Sequence, residues 1–114
     1  QCNQKKILLL FLSAQLFSQN SEQLFKEGNE QYKLSNYSEA ISSYEKIEAL
    51  GLISSALYYN LGNCHYKLNQ VAPAIYNYEM ALLLNPLNEE AKSNLVFAKR
   101  LTIDAIDEIP TKCP

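Results

Sequence analysis

The chain has 114 residues, 47% apolar and 19% charged, with only three Gly and four Pro. That composition fits one small globular domain and excludes both a disordered tail and a β-rich chain full of tight turns. Ten Lys and Arg against 12 Asp and Glu, one His and three scattered Cys exclude an electrostatic footprint for nucleic acid and a multi-residue zinc site.

Taken in chain order, the first feature is an address. Lys5 and Lys6 precede the apolar run Ile7-Leu8-Leu9-Leu10-Phe11-Leu12, which continues through Phe17. A positive start followed by a short apolar stretch predicts a secretory signal peptide over 1–19. The run is too short for a helix that crosses a bilayer, which needs about 20 apolar residues. Such a leader predicts export. Removing Lys5 and Lys6 leaves 8 basic against 12 acidic residues, or −4. Cys2 precedes the apolar run and cannot serve as a lipoprotein cysteine. Cys64 falls on the apolar side of a predicted helix and reads as a buried structural thiol, whereas Cys113 lies in a tail over 107–114.

The domain proper is expected over 20–109, and it is one unit written twice. Sliding the sequence by 34 residues pairs 21–54 with 55–88 and makes eleven positions identical, among them Gly28/Gly62, Asn29/Asn63, Tyr32/Tyr66, Lys33/Lys67, Ala40/Ala74 and Tyr44/Tyr78. Chance would give about two or three. Leu57, Leu61, Cys64 and Leu68 form one helical stripe, and Val71, Ala74, Ile75, Tyr78, Ala81 and Leu82 form a second. Asn69-Gln70 breaks the two. Pro73 opens the second helix, Asn85-Pro86 closes it, and Asn88 caps a further helix over 88–106. That last helix repeats Asn60-Leu61 as Asn94-Leu95 but carries Val96 at the glycine place, so it reads as a terminal cap. Leu95, Ala98, Leu101 and Ile106 are expected to cover the last apolar face.

A two-helix unit of 34 residues resembles the tetratricopeptide repeat (TPR). The second unit carries Tyr58-x-x-Leu61-Gly62-x-x-His65, then Ala74-x-x-x-Tyr78, then Pro86. The first carries Gly28, Ala40 and Tyr44 but has Glu27 and Leu52 where leucine and proline are usual. The resemblance implies an all-α fold: an antiparallel helix-turn-helix array of two repeats and a capping helix, wound as a right-handed α-solenoid. Gly28, Gly62, Ala40, Ala74, Leu61, Tyr44, Tyr78 and Pro86 then take structural roles at the seam between paired helices. A narrower resemblance links Leu57-Tyr58-Tyr59-Asn60-Leu61-Gly62-Asn63, Asn94-Leu95-x-Phe97-Ala98 and the Ile109-Pro110 element to BatE-type proteins of the Bacteroides aerotolerance operon. It implies a place in the periplasm or on the periplasmic face of the inner membrane, in an envelope assembly with partners carrying von Willebrand A-type domains.

In stacked helical hairpins the first helices line a concave groove, and helical geometry assigns to it four residues from the first repeat, Phe25, Asn29, Tyr32 and Lys33. The second repeat supplies Tyr59, Asn60, Asn63, Tyr66 and Lys67, and the cap supplies Asn94, Phe97 and Arg100. Aromatic area with amides and a few cations suits a protein or peptide partner; Tyr32 and Tyr66 equally suit packing between neighbouring helices. Some relatives clamp the C-terminal carboxylate of chaperones with two asparagines and three basic residues. Asn29 and Asn60 match the amides, but Phe25, Glu90 and Asn94 stand at the basic places, so no such binding is expected. His65 beside Cys64 reads as a packing or surface residue, and Asp104, Asp107 and Glu108 as a solvated helix end. No catalytic group, metal, cofactor or small-molecule substrate is expected. The function read from the sequence is an exported scaffold, with self-association through Tyr76, Leu83 or the cap helix as the alternative.

Overall fold

A computed structural model describes residues 20–107, with 105–107 described in backbone only. The leader over 1–19, the Ile106 side chain, the Ile109-Pro110 element and Cys113 lie outside the residues whose placement is described. Five helices and no strand occur among the described residues: α1 over 20–33, α2 Tyr37–Ala49, α3 Ser55–Lys67, α4 Val71–Leu84 and α5 Glu89–Asp107. The chain is an all-α helical repeat array, as its periodicity requires.

The helix ends repeat along with the helices. α1 and α3 stop at Ser35 and Asn69, both in left-handed backbone at φ 63° and 59°. The residue after each reaches back with its N–H, Asn36 to the Gln31 carbonyl at 2.8 Å and Gln70 to the His65 carbonyl at 2.9 Å. This reverse turn satisfies carbonyls that the helix itself leaves open. A side-chain latch spans each turn: Asn36 Nδ2 donates to Gln31 Oε1 at 2.9 Å, and His65 Nδ1 lies 2.7 Å from Gln70 Oε1. His65 therefore sits in the last turn of α3 and braces the reverse turn that follows. The first helices α3 and α5 are capped by side chains, Leu57 N–H donating to Ser54 Oγ at 3.0 Å and Ala91 N–H to Asn88 Oδ1 at 3.0 Å, whereas α2 and α4 start without a side-chain cap. Asn88 also donates to Ser55 Oγ, which donates to the Ala81 carbonyl at 2.8 Å, tying the end of α4 to the starts of α3 and α5.

Two seams hold the hairpins. A Cβ on Gly28 would fall 2.4 Å from the Tyr44 ring of α2, and one on Gly62 would fall 2.6 Å from the Tyr78 ring of α4. The glycines thus admit a specific partner, a tyrosine laid flat on bare backbone, with Ala40 and Ala74 fully buried alongside. Between the seams lies one core of Ile47, Leu57, Tyr58, Leu61, Cys64 and Ala81. Burial pushes the Cys64 thiol up to about 12, so it is a small hydrophobe at neutral pH. Tyr58 is also raised to about 12, first by burial and then by the Glu48 carboxylate beside its hydroxyl.

The cap is built differently from the expectation. Ala91 and Ala98 are buried and Leu95 packs on them, but Leu101 is 39% exposed. Two small residues let α5 lie close on α4, and the larger side chain one turn further on is left facing solvent. No described helix is long and apolar enough to cross a membrane.

Candidate functional site

The groove arises because α1, α3 and α5 stand side by side, each the first helix of its unit. Its spine is a polar chain that uses both seam tyrosines. Tyr44 Oη–H donates to Asn29 Oδ1 at 2.6 Å, and Asn60 Nδ2 of the next unit donates to the same oxygen at 3.4 Å. One repeat on, Tyr78 Oη–H donates to Asn63 Oδ1 at 2.6 Å, and Asn94 Nδ2 to that oxygen at 2.9 Å. Asn29 and Asn63 therefore each collect a proton donor from their own hairpin and one from the next unit. Burial raises the pKa of Tyr44 and Tyr78, with the amides of Asn60 and Asn94 pulling the other way. Both hydroxyls remain donors throughout the neutral range.

Above this spine lie two adjoining concavities. The larger, about 270 Å³, is lined by Tyr32, Tyr59, Asn63, Tyr66, Lys67, Tyr78, Asn94 and Phe97. The smaller, about 200 Å³, is lined by Asn29, Tyr32, Lys33, Tyr44, Asn60 and Asn63. Tyr32 and Asn63 belong to both, so the two form one groove.

Ten of the twelve residues assigned to the groove line it. Phe25 does not: its ring rests on Tyr44 at 5.7 Å between centroids and borders a separate shallow hollow with Ile47, Leu52 and Ile53. It lies one turn before Asn29, beside the connection from α2 to α3. Arg100 also lines neither concavity; its guanidinium stands 6.0 Å from the Phe97 ring centroid. Tyr32 combines its two readings, packing edge-on against Tyr37 at 5.2 Å while presenting its other side to the groove. Its pKa is raised by partial burial and then by the neighbouring Tyr37.

Sequence reasoning treated Tyr44 and Tyr78 as seam residues alone, whereas both also line the groove and fix its asparagines. The signal was present in the repeat itself, since Asn29/Tyr44 and Asn63/Tyr78 share one spacing of 15 residues. The asparagines are correspondingly less free than a surface reading suggests, with each one committed on one side of its amide.

Residues 55–88 match the tetratricopeptide repeat family model, the same bounds as the second unit defined by the internal repeat. The match supports the tetratricopeptide resemblance drawn from both units. No curated protein matches the chain.

Proposed function

We propose that this chain is an exported scaffold that holds partner proteins in the groove formed by α1, α3 and α5. Tetratricopeptide repeats mediate protein–protein interaction and are scaffold repeats without catalytic machinery of their own. The observation that carries the reading is the groove wall, where tyrosine, asparagine and lysine recur at equivalent places in successive units. Such a wall offers contact area at low entropic cost together with fixed hydrogen-bonding groups. The leader supports an envelope location, and the BatE resemblance supports membrane partners with von Willebrand A-type domains as the assembly it serves.

The test is capture from an envelope extract with the full chain as bait, against a bait carrying Tyr66→Ala and Phe97→Ala. Both positions line the groove and neither belongs to the polar spine. Partners held by the native chain and lost from the variant support the reading, provided circular dichroism shows equal helicity. Identical partner sets would overturn it.

A second reading is favoured by α4 and the turn after it, where Tyr76, Leu83 and Leu87 are all exposed, the two leucines by 73% and 82%. Such side chains suit stacking of one array on another. Mass measured by sedimentation across a concentration series decides it, since a monomer at tens of micromolar removes self-association.

A further inference from the structure

The groove is positively charged in a chain whose acidic residues outnumber its basic ones, 12 to 10. Lys33 lines one concavity and Lys67 the other, while neither is lined by any acidic side chain. The ion pairs among the described residues join Lys92 to Glu89 and Lys99 to Glu79, so both groove lysines keep their charge uncompensated. Each ends its helix, Lys33 closing α1 and Lys67 closing α3. That position suits a cation at the carbonyl end of a helix, but it leaves the ammonium exposed at the groove.

The polar spine leaves a second repeated pattern. Asn29 and Asn63 accept through Oδ1 and keep Nδ2 unpaired, while Asn60 and Asn94 donate through Nδ2 and keep Oδ1 unpaired. Each step of the groove therefore presents one amide donor, one amide acceptor and one cation. A peptide group supplies the complementary carbonyl and N–H, and an acidic side chain supplies the charge.

The step length follows from the helices that carry it. Bonds from Asn60 to Asn29 and from Asn94 to Asn63 make α1, α3 and α5 direct neighbours, and packed helices stand about 8–10 Å apart. A chain in polyproline-II conformation advances about 3.1 Å per residue with three residues per turn, so one step corresponds to about three residues and returns side chains three apart to the same face. From these observations, and resting on the groove reading above, we propose that the groove binds an extended internal segment of a partner protein bearing two acidic side chains three residues apart. Lys33 and Lys67 take the acids and the four asparagines take the backbone. This subsite does not need a chain terminus, because the charges it answers are side-chain carboxylates.

The probe is a fluorescent ten-residue peptide, acetylated and amidated, with Asp-Ala-Tyr-Asp at its centre. Its binding to the full chain is followed by anisotropy at low and high salt. Binding is expected to weaken about tenfold when both acids are replaced by Asn, and about tenfold in a Lys33→Glu, Lys67→Glu chain of unchanged helicity. A peptide with Lys at both acidic places should regain binding to that reversed chain, a rescue that lost folding could not give. Moving the acids to adjacent positions should weaken binding, since one carboxylate then misses its lysine. Equal binding of acidic and neutral peptides overturns the charge reading while leaving the groove as an interaction surface. Competition by tripolyphosphate as strong as by the peptide overturns backbone recognition. Absence of peptide binding overturns the proposal, and the capture experiment with Tyr66→Ala and Phe97→Ala then judges the groove separately.

Discussion

α3 and α5 occupy the same place in successive units and agree on one face only. Leu57, Leu61 and Cys64 of α3 correspond to Ala91, Leu95 and Ala98 of α5, and all six face the core. Their groove amides, Asn60 and Asn94, donate to the preceding asparagine in the same way. The other face differs: Gly62-Asn63 receives the Tyr78 ring and hydroxyl, while Val96-Phe97 is 51% and 53% exposed. Two residues therefore separate a helix that accepts a following hairpin partner from one that terminates the tyrosine seam. A Cβ at the glycine place already meets the ring, and valine adds two methyl groups to it.

The sharpest contrast between the two faces is chemical. In a chain with Cys2→Ser and Cys113→Ser, the Cys64 thiol should react with a thiol reagent at pH 8 about a thousandfold more slowly than an ordinary thiol. The factor follows from its rise from 9.0 to about 12 by burial. A Val96→Cys substitution, in a background also lacking Cys64, should react at the ordinary rate; equal rates would mean that the inner face is open. The same rise fixes a pH dependence. Unfolded Cys64 ionises near 9 and the folded thiol only near 12, so its share of stability is complete below 9 and is lost as pH climbs toward 12. Tyr58, raised from 10.0 to about 12, adds loss over the upper part of that window. Urea midpoints between pH 7 and 11 should fall accordingly.

Next in size is the seam itself. Gly62→Val should cost about 3 kcal/mol by urea denaturation, because the new side chain and the Tyr78 ring claim one volume. Tyr78→Ala should be less damaging in that background than in the native one, and independent costs would show that ring and glycine do not meet. Removing spine amides gives a smaller graded effect. Asn94→Ala should cost about 1 kcal/mol and Asn60→Ala less, since their bonds measure 2.9 Å and 3.4 Å. The reverse order would contradict the geometry. Smallest is Val96→Gly, about 0.5 kcal/mol from helix propensity alone. A cost as large as that of Gly62→Val would mean that something packs on this face.

Much of the array could be read without coordinates. The 34-residue slide located both units, Pro73 and Asn85-Pro86 marked α4, and Asn88 caps α5 as expected by accepting from the Ala91 N–H. Most of the groove followed from helical geometry, because Tyr59, Asn63, Tyr66 and Lys67 share one face of α3. Phe25 fell outside it because its ring turns onto Tyr44 beside the connection from α2 to α3, and Arg100 because its guanidinium stands by the Phe97 ring. Leu101 failed as a cap because Ala91 and Ala98 make the close approach and leave it 39% exposed.

What the sequence determined by itself is local and periodic: helix and turn, the glycine places, the two repeats and the lysines that close α1 and α3. These depend on residues a few positions apart, within reach of pattern and propensity. What the tertiary structure alone decided is the use of each asparagine amide. Asn29 is bonded on one edge and open on the other because Tyr44 and Asn60 arrive from two different helices. Such a division of donors and acceptors depends on the distance and angle between elements. It makes the groove an ordered set of hydrogen-bonding groups where sequence alone showed only four amides on one face.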